Sequence, residues 1–499
     1  MFTNFISDPG ADVRAPVGAA ALVSSVQALE KATRLEAVRR DARGNQDNPR
    51  IPSGYTYLLQ FVAHDMVRTR REFWRDDPPV RVDLRSERLM LNALYGEVGA
   101  SQFPRVPAGL EIGAMADVGG LAGRCPYRDL PRAPGSGALS GDVRNDDHPI
   151  IAQMTACFAL LHNALQAICG DFEIARQATR LIYRSVVRND LMGMILPKPV
   201  WDRYAPAGHG FIDQRFAANP DGPLPVEFSH GALRFGHAML RSKYSLNEKR
   251  MLPEHGEVLL SHNLALTALP AAAGRPVGVN WAVNWSYFFP MPGSPPPVNA
   301  SIRIGPAYQQ VLSTPGLLAP DMPELAFPPG SPALMPTGLM QRDLLSGALA
   351  LPWKLAGLIG QIAGHAHGQS VLPGTLAMGA WETDIRTWLL DHGVAQADAN
   401  AIAADPPLAF FVLYEAEREA LGLTLGPLGG LIIADVMCAA LEHGPLAVHV
   451  GDDQPARLTA LSPSFAPVFA NHPITTMPGL IRFVSDRHRL GGAIPGFDR

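Results

Sequence analysis

The stretch Gln60-Phe61-Val62-Ala63-His64-Asp65 holds the first residues of this chain whose types and spacing could do chemistry. It sits in an apolar-periodic run over 56–68, where a glutamine four residues before a histidine shares its helical face. A second histidine, His237, follows Leu233-Arg234-Phe235-Gly236 in an apolar run of its own. An imidazole can ligate a metal and, neutral near pH 7, can also carry protons. Two such groups on separate helices could face each other across a flat cofactor. One would ligate an iron from below while the other, unligated, handles protons above it, as a haem enzyme needs. Taken singly, each histidine also reads as a satisfied core or surface residue.

A third segment adds charge. Gly141-Asp142-Val143-Arg144-Asn145-Asp146-Asp147-His148-Pro149 is a polar turn that feeds a long apolar run beginning at Ile150. Acidic residues suit a helix start, where they cap free N–H groups and meet the positive end of the dipole, and this accounts for Asp146 and Asp147. It does not account for Arg144. A permanently charged guanidinium at the mouth of an apolar helix needs an anionic or polar partner. A peroxide or a developing oxyanion is one such partner and a structural salt bridge is the other.

Helices must position these residues. Apolar periodicity predicts them over 18–40, 56–68, 172–195, 226–243, 338–365, 407–421 and 427–442. The run 150–169 is almost wholly apolar without internal Gly or Pro, which reads as a buried helix. Long Pro/Gly-rich connections at 101–141, 197–226, 265–300 and 312–338 suit a large irregular helical enzyme better than a small bundle. Alternating strand patterns are scarce, and neither an internal repeat nor a clean linker divides the chain. The expected fold is mainly α, one large domain with long irregular loops.

With 499 residues, of which 47% are hydrophobic and 18% charged, the chain has ample material for a core. A net charge of −4 gives no reason to expect nucleic acid or an anionic membrane, and 7% aromatics do not favour a stacking platform for single strands. Cys125, Cys157, Cys169 and Cys438 lack CxxC spacing, which argues against zinc sites and a disulfide framework. The amino terminus has no basic region leading into an apolar one, and no uninterrupted apolar stretch reaches the roughly 18–20 residues of a membrane span. A reduced, cytoplasmic protein without a membrane span is expected. His365 and His367 form a single HxH pair on a Gly-rich stretch, which reads as a solvated loop rather than a metal site.

Several motifs occur in one order: Gln-x-x-x-His-Asp at 60–65, Asp129-Leu130-Pro131-Arg132, Gly-Asp-x-Arg-Asn-Asp at 141–146, Leu161-His162-Asn163, and Pro225-Val226-Glu227-Phe228-Ser229. After them come Arg234-Phe235-Gly236-His237, Tyr244-Ser245-Leu246-Asn247, Pro407 to Leu413, and Leu425-Gly426-Pro427-Leu428-Gly429-Gly430. This order resembles the animal-type haem peroxidases of the peroxidase–cyclooxygenase superfamily, especially their bacterial members. The resemblance spans roughly 50–445. It implies a catalytic domain over 50–445 with haem in the helical core, an N-terminal helical extension over 1–49 packed on it, and a C-terminal extension over 446–499.

By this resemblance His64 is the distal histidine, Arg144 the catalytic arginine and His237 the proximal iron ligand. Gln60 lines the distal pocket, Arg234 meets a haem propionate, and Asp147 stands where the family has a haem-linking acid. The chemistry suits these roles. A neutral distal imidazole can take a proton from hydrogen peroxide and return it to the leaving oxygen. Arg144 would stabilise charge during O–O cleavage, and His237 would donate electron density to the iron. The implied activity is a peroxidase that forms a ferryl haem to oxidise a small organic substrate or a halide. The alternative is a repurposed haem protein of the same fold, either a biosynthetic oxygenase or dioxygenase or a non-catalytic scaffold. The fatty-acid dioxygenase branch carries a tyrosine three residues before the proximal histidine, where this chain has Arg234.

The departures matter equally. Ala63 stands where the family places an ester-forming Asp, and His148 stands where mammalian members have a sulfonium-forming Met. Haem b is therefore expected to be non-covalent, or held by one ester at most, through Asp147. Asp65 matches a family calcium ligand, but Met90 replaces the acidic ligand of the partner loop, and a thioether suits hard Ca²⁺ poorly. Calcium is not expected, and Asp65 reads as an ion-pair partner. For the proximal hydrogen-bond partner two alignments stay open. One sets Arg342-Asp343-Leu344-Leu345 in the family's segment and brings the apolar Trp353-Lys354-Leu355 to the partner position. The other brings Gln369 there. The reducing substrate and the oligomeric state are not specified by any motif.

Overall fold

In the computed structural model the described residues are 2–6, 19–33, 46–72, 80–97, 103–117, 128–133, 137–247, 258–259, 274–309, 339–350, 352–365, 372 and 380–488. Helices dominate them, and their strands form six short two-stranded antiparallel ribbons, beside two isolated parallel bridges, Thr3 with Pro225 and Ala116 with Gly278. This is the mainly α architecture expected from the apolar periodicity.

The long apolar run forms the helix Pro149–Cys169, with Pro149 in the first turn, where a missing N–H costs nothing. Gly170 ends it in the left-handed region at φ 76°, which a residue without a Cβ adopts without strain. By length and composition this helix could cross a membrane, contrary to the expectation that no stretch qualifies. However, 83% of its apolar window is buried in the protein. Helices Ser53–Met66, Phe172–Val186 and Met477–His488 pack around it. Phe61 stacks on Phe158 with ring centroids 4.7 Å apart and planes at 12°, and Tyr183 meets both rings edge-on. Such pairs prefer defined geometries, so the contact fixes the rotation of the Ser53–Met66 helix about its axis.

The ribbon Asp47–Pro52 with Ala300–Ile302 leads straight into that helix. Ser53 N–H donates to Asn299 O and Gly54 N–H to Phe288 O, tying its first turn to the 285–302 segment. The helix Ala19–Thr33 packs on Leu339–Leu349. The expected 338–365 helix is broken into Leu339–Leu349 and Leu355–Gly364, with Pro352 between them. A proline cannot supply the interior N–H, and it drives the residue before it out of the helical region.

The expected helix over 226–243 is corrected most. A wide π-type turn, Glu227–Gly231, runs into a 3₁₀ segment, Ala232–Met239, and the chain turns extended at Leu240. Gly236 shows why. A Cβ there would come 2.8 Å from Leu59 Cδ2, so the segment's backbone lies directly against the Ser53–Met66 helix. Close approach by an irregular backbone of this kind is common at functional sites.

Candidate functional site

Gln60 and His64 lie one turn apart on the Ser53–Met66 helix, and His64 is buried. Its Nδ1 is 2.8 Å from Asn145 Oδ1. The direction of this bond follows from the partner, because Asn145 Nδ2 donates to Ala93 O at 2.9 Å and so turns the amide oxygen toward the ring. Nδ1 therefore carries the proton, and Nε2 presents a lone pair. Burial first, and then the positive Arg144, push the His64 pKa down to about 3, which keeps the imidazole neutral.

The end of this helix is held by two arginines. Arg85 donates to His64 O from Nε at 3.0 Å and from Nη2 at 2.6 Å, and Arg144 Nη2 donates to His64 O at 3.0 Å and to Val67 O at 2.8 Å. Both guanidiniums meet on Asp142. Arg144 binds its two oxygens from Nη2 at 2.7 Å and Nε at 3.0 Å, and Arg85 Nη2 donates to Oδ2. Burial alone would raise the Asp142 pKa, but the charge and hydrogen bonds of Arg144 outweigh it and hold the carboxyl well below the usual range. Of the two partners open for Arg144, the salt bridge is present.

His237 lies in the 3₁₀ segment, with about a third of its side chain exposed (32%). Its Nδ1 is 2.7 Å from Asp343 Oδ2, which also accepts from Tyr308 OH at 3.1 Å. Asp343 is buried, and Arg234 Nη1 lies 3.8 Å from its other oxygen. A carboxylate only accepts, so Nδ1 is protonated, and in the neutral ring Nε2 carries the lone pair. Among the described residues the hydrogen-bond partner is thus Asp343, which neither sequence alternative put there. Its helix, Leu339–Leu349, packs against the His237 segment, whereas Trp353 N–H turns away to donate to Glu227 Oε1 at 2.8 Å. Gln369 lies outside the described residues. Arg234 donates from Nε to Ser229 O at 3.1 Å, so its guanidinium sits with the Asp343 group.

The polar turn at 141–149 is built differently from the expectation. His148, not Asp146 or Asp147, caps the Pro149–Cys169 helix, its Nδ1 accepting from Ile151 N–H at 3.3 Å. Asp146 instead pairs with Arg132 at 2.6 and 2.7 Å, since the 3₁₀ turn Val143–Asp146 points it away from the helix axis. Asp147 has no side-chain partner among the described residues, and burial pushes its pKa up to about 7 against the lowering effect of Arg144. His148 Nε2 is 2.9 Å from Gln60 Oε1.

Asp65 accepts from Leu91 N–H and Ala93 N–H, both at 2.9 Å, so backbone donors, rather than the expected ion-pair partner, take its two oxygens. Arg184 lies over Met90, with Nη1 3.5 Å from Sδ. His367 lies outside the described residues, which leaves the HxH pair without a described geometry. Elsewhere His209, Cys438 and Glu442 bring ligand atoms within 4.8 Å of one another. Arg188 already supplies the cation there, donating to Cys438 Sγ at 3.1 Å and to Glu442 Oε1 at 3.0 Å.

The sequence reading missed Arg85, Tyr308 and the roles of Asn145 and Asp343. Asn145 and Asp343 stood inside quoted motifs, and only their side-chain directions were hidden. Arg85 and Tyr308 lie in irregular chain with no periodicity to flag them.

No family model matches the chain, and no curated relative matches it. Solved structures do. Peroxidase A from Dictyostelium discoideum superposes with a TM-score of 0.55 at 13% identity, covering 93% of this chain and 89% of its own. The fatty acid α-dioxygenase of Oryza sativa superposes with a TM-score of 0.51 at 13% identity, covering 93% of this chain and 77% of that one. The corresponding figures for the Arabidopsis thaliana enzyme are 0.53, 12%, 93% and 74%. The fold is theirs. The chain shares their mainly helical architecture over 93% of its length.

Proposed function

We propose that this protein is a haem-dependent peroxidase that uses hydrogen peroxide to oxidise a small organic substrate or a halide. One observation carries the reading. Two histidines on elements packed together at Leu59 and Gly236 each have Nδ1–H satisfied by a fixed acceptor, which leaves both Nε2 lone pairs for chemistry. The donor set fits haem. His237, backed by a carboxylate, suits an axial iron ligand, because a hydrogen-bonded anion raises ligand basicity. His64, backed by a neutral amide and buried, suits a proton carrier. Haem, when bound, supplies the iron at which the O–O bond of peroxide breaks.

The protein's own work is then proton handling and orientation. His64 Nε2 takes a proton from one peroxide oxygen and delivers it to the departing oxygen, a role that requires the neutral ring. Arg144 and Arg85 clamp the His64 carbonyl and so fix the helix end that carries the base, while Arg144 contributes positive potential to the pocket. Ala63 offers no carboxyl for a haem ester, and the resemblance leaves Asp147 as the acid for a single link. The dioxygenase reading is the weaker one, because position 234 is occupied by an arginine turned toward Asp343.

The test is direct. The protein is reconstituted with haem, its Soret spectrum recorded, and hydrogen peroxide added. A Soret band that shifts within the mixing time supports the reading. No Soret band after reconstitution, or a ferric spectrum indifferent to peroxide, overturns it.

A further inference from the structure

The side chains around Gln60 include one group that the proposed chemistry does not use, the His148 ring. It is held from three directions. Its Nδ1 accepts the Ile151 N–H as the cap of the Pro149–Cys169 helix, its Nε2 is 2.9 Å from Gln60 Oε1, and Tyr57 meets the ring edge-on with centroids 5.1 Å apart at 66°. Because Nδ1 is an acceptor, a neutral ring must carry its proton on Nε2. Burial keeps the ring neutral, pushing its pKa down to about 3.

The consequence falls on Gln60. A glutamine amide can flip, presenting oxygen or NH₂ to a pocket at similar steric cost. Here the Nε2–H of His148 takes the oxygen, so the NH₂ is the end that remains. Among the described residues nothing else binds the Gln60 side chain, which is half-buried. One turn further along, His64 presents a bare Nε2 lone pair.

We infer that His148 is a positioning residue that locks Gln60 as a hydrogen-bond donor, so that the site selects small ligands that accept at Gln60 and leave a proton on His64. Hydrogen peroxide meets this pattern, and so does a small weak acid delivered as its anion and a proton. A ligand that only donates does not. The inference rests on the haem reading for its setting but on the Gln60–His148–Ile151 chain for its content.

Fluoride is the probe, since it accepts hydrogen bonds and cannot donate them. Its dissociation constant is read from the visible spectrum of the haem-loaded protein. His148→Asn keeps a good helix cap but cannot reach Gln60, so it should melt close to the unmodified protein yet bind fluoride about tenfold more weakly. Gln60→Glu, which removes the donor, should weaken binding at least as much. His148→Gln, whose amide can still donate to Gln60 Oε1, should recover most of the affinity. Fluoride binding unchanged in His148→Asn, or equally weak in His148→Asn and His148→Gln, overturns the inference. A second readout needs no haem. Ring ¹⁵N NMR of the haem-free chain, assigned by the signal lost in His148→Gln, should show the Nε2–H tautomer for His148, and an Nδ1–H or doubly protonated ring overturns the inference. Loss of the Soret band would count against the haem reading alone, because the tautomer stands independently of it.

Discussion

The two histidines at the centre of this molecule are built alike and surrounded differently. Both donate Nδ1–H to an oxygen and leave Nε2 bare. For His64 the acceptor is the neutral Asn145 amide, anchored by Ala93 O, in a buried setting that keeps the ring uncharged. For His237 the acceptor is the Asp343 carboxylate, shared with Tyr308 and flanked by Arg234, and the ring is more open. Under the proposed function, the acceptor's charge sets the role. A neutral acceptor fixes a tautomer without making the ring a stronger donor, which suits a group that must both take and return a proton. An anionic acceptor pushes electron density onto Nε2, which suits a permanent ligand.

This contrast can be broken at either end. His237→Ala should have the largest effect, abolishing stable haem retention as read by gel filtration of the reconstituted protein. His64→Ala should keep haem but slow the peroxide-driven Soret change by about 10²–10⁴-fold, the usual contribution of a positioned acid–base group. Asp343→Asn makes the His237 side resemble the His64 side, and should raise the ferric/ferrous midpoint potential and loosen haem by about 10–100-fold. Tyr308→Phe removes a competing donor from Asp343 and should move the potential the opposite way by less. The smallest effect concerns Asp147, whose folded pKa of about 7 lies above its unfolded value. Between the two values the folded state holds the extra proton, so this group's stabilising term is present at low pH and is lost as pH rises through about 7. Asp147→Asn should therefore raise the melting temperature more at pH 8 than at pH 4, and an equal shift at both would show that the carboxyl is not desolvated.

Much of this site was legible because short-range pattern carries it. Gln60 and His64 at one helical spacing, and the polar turn ending at Pro149, can be read directly, and the helices around them follow from apolar periodicity. What could not be read is direction. Asp146 and Asp147 look like helix caps, yet a 3₁₀ turn gives the cap to His148 and sends Asp146 to Arg132. Asp343 sits in an apolar helical run, where its approach to His237 depends on how two distant elements pack. The irregular 227–239 segment was hidden for a similar reason, because its close approach to Leu59 at Gly236 is a tertiary contact that its own periodicity does not show. Arg85 is the clearest omission, a buried guanidinium in irregular chain that caps the helix carrying His64.

The division of labour between the two imidazoles is tested most directly by measuring haem dissociation and the rate of the peroxide-induced Soret change in His64→Ala and His237→Ala side by side. The account predicts that His64→Ala keeps haem as tightly as the unmodified protein and loses the fast reaction, while His237→Ala loses the haem. Haem retained in His237→Ala and released from His64→Ala would contradict it.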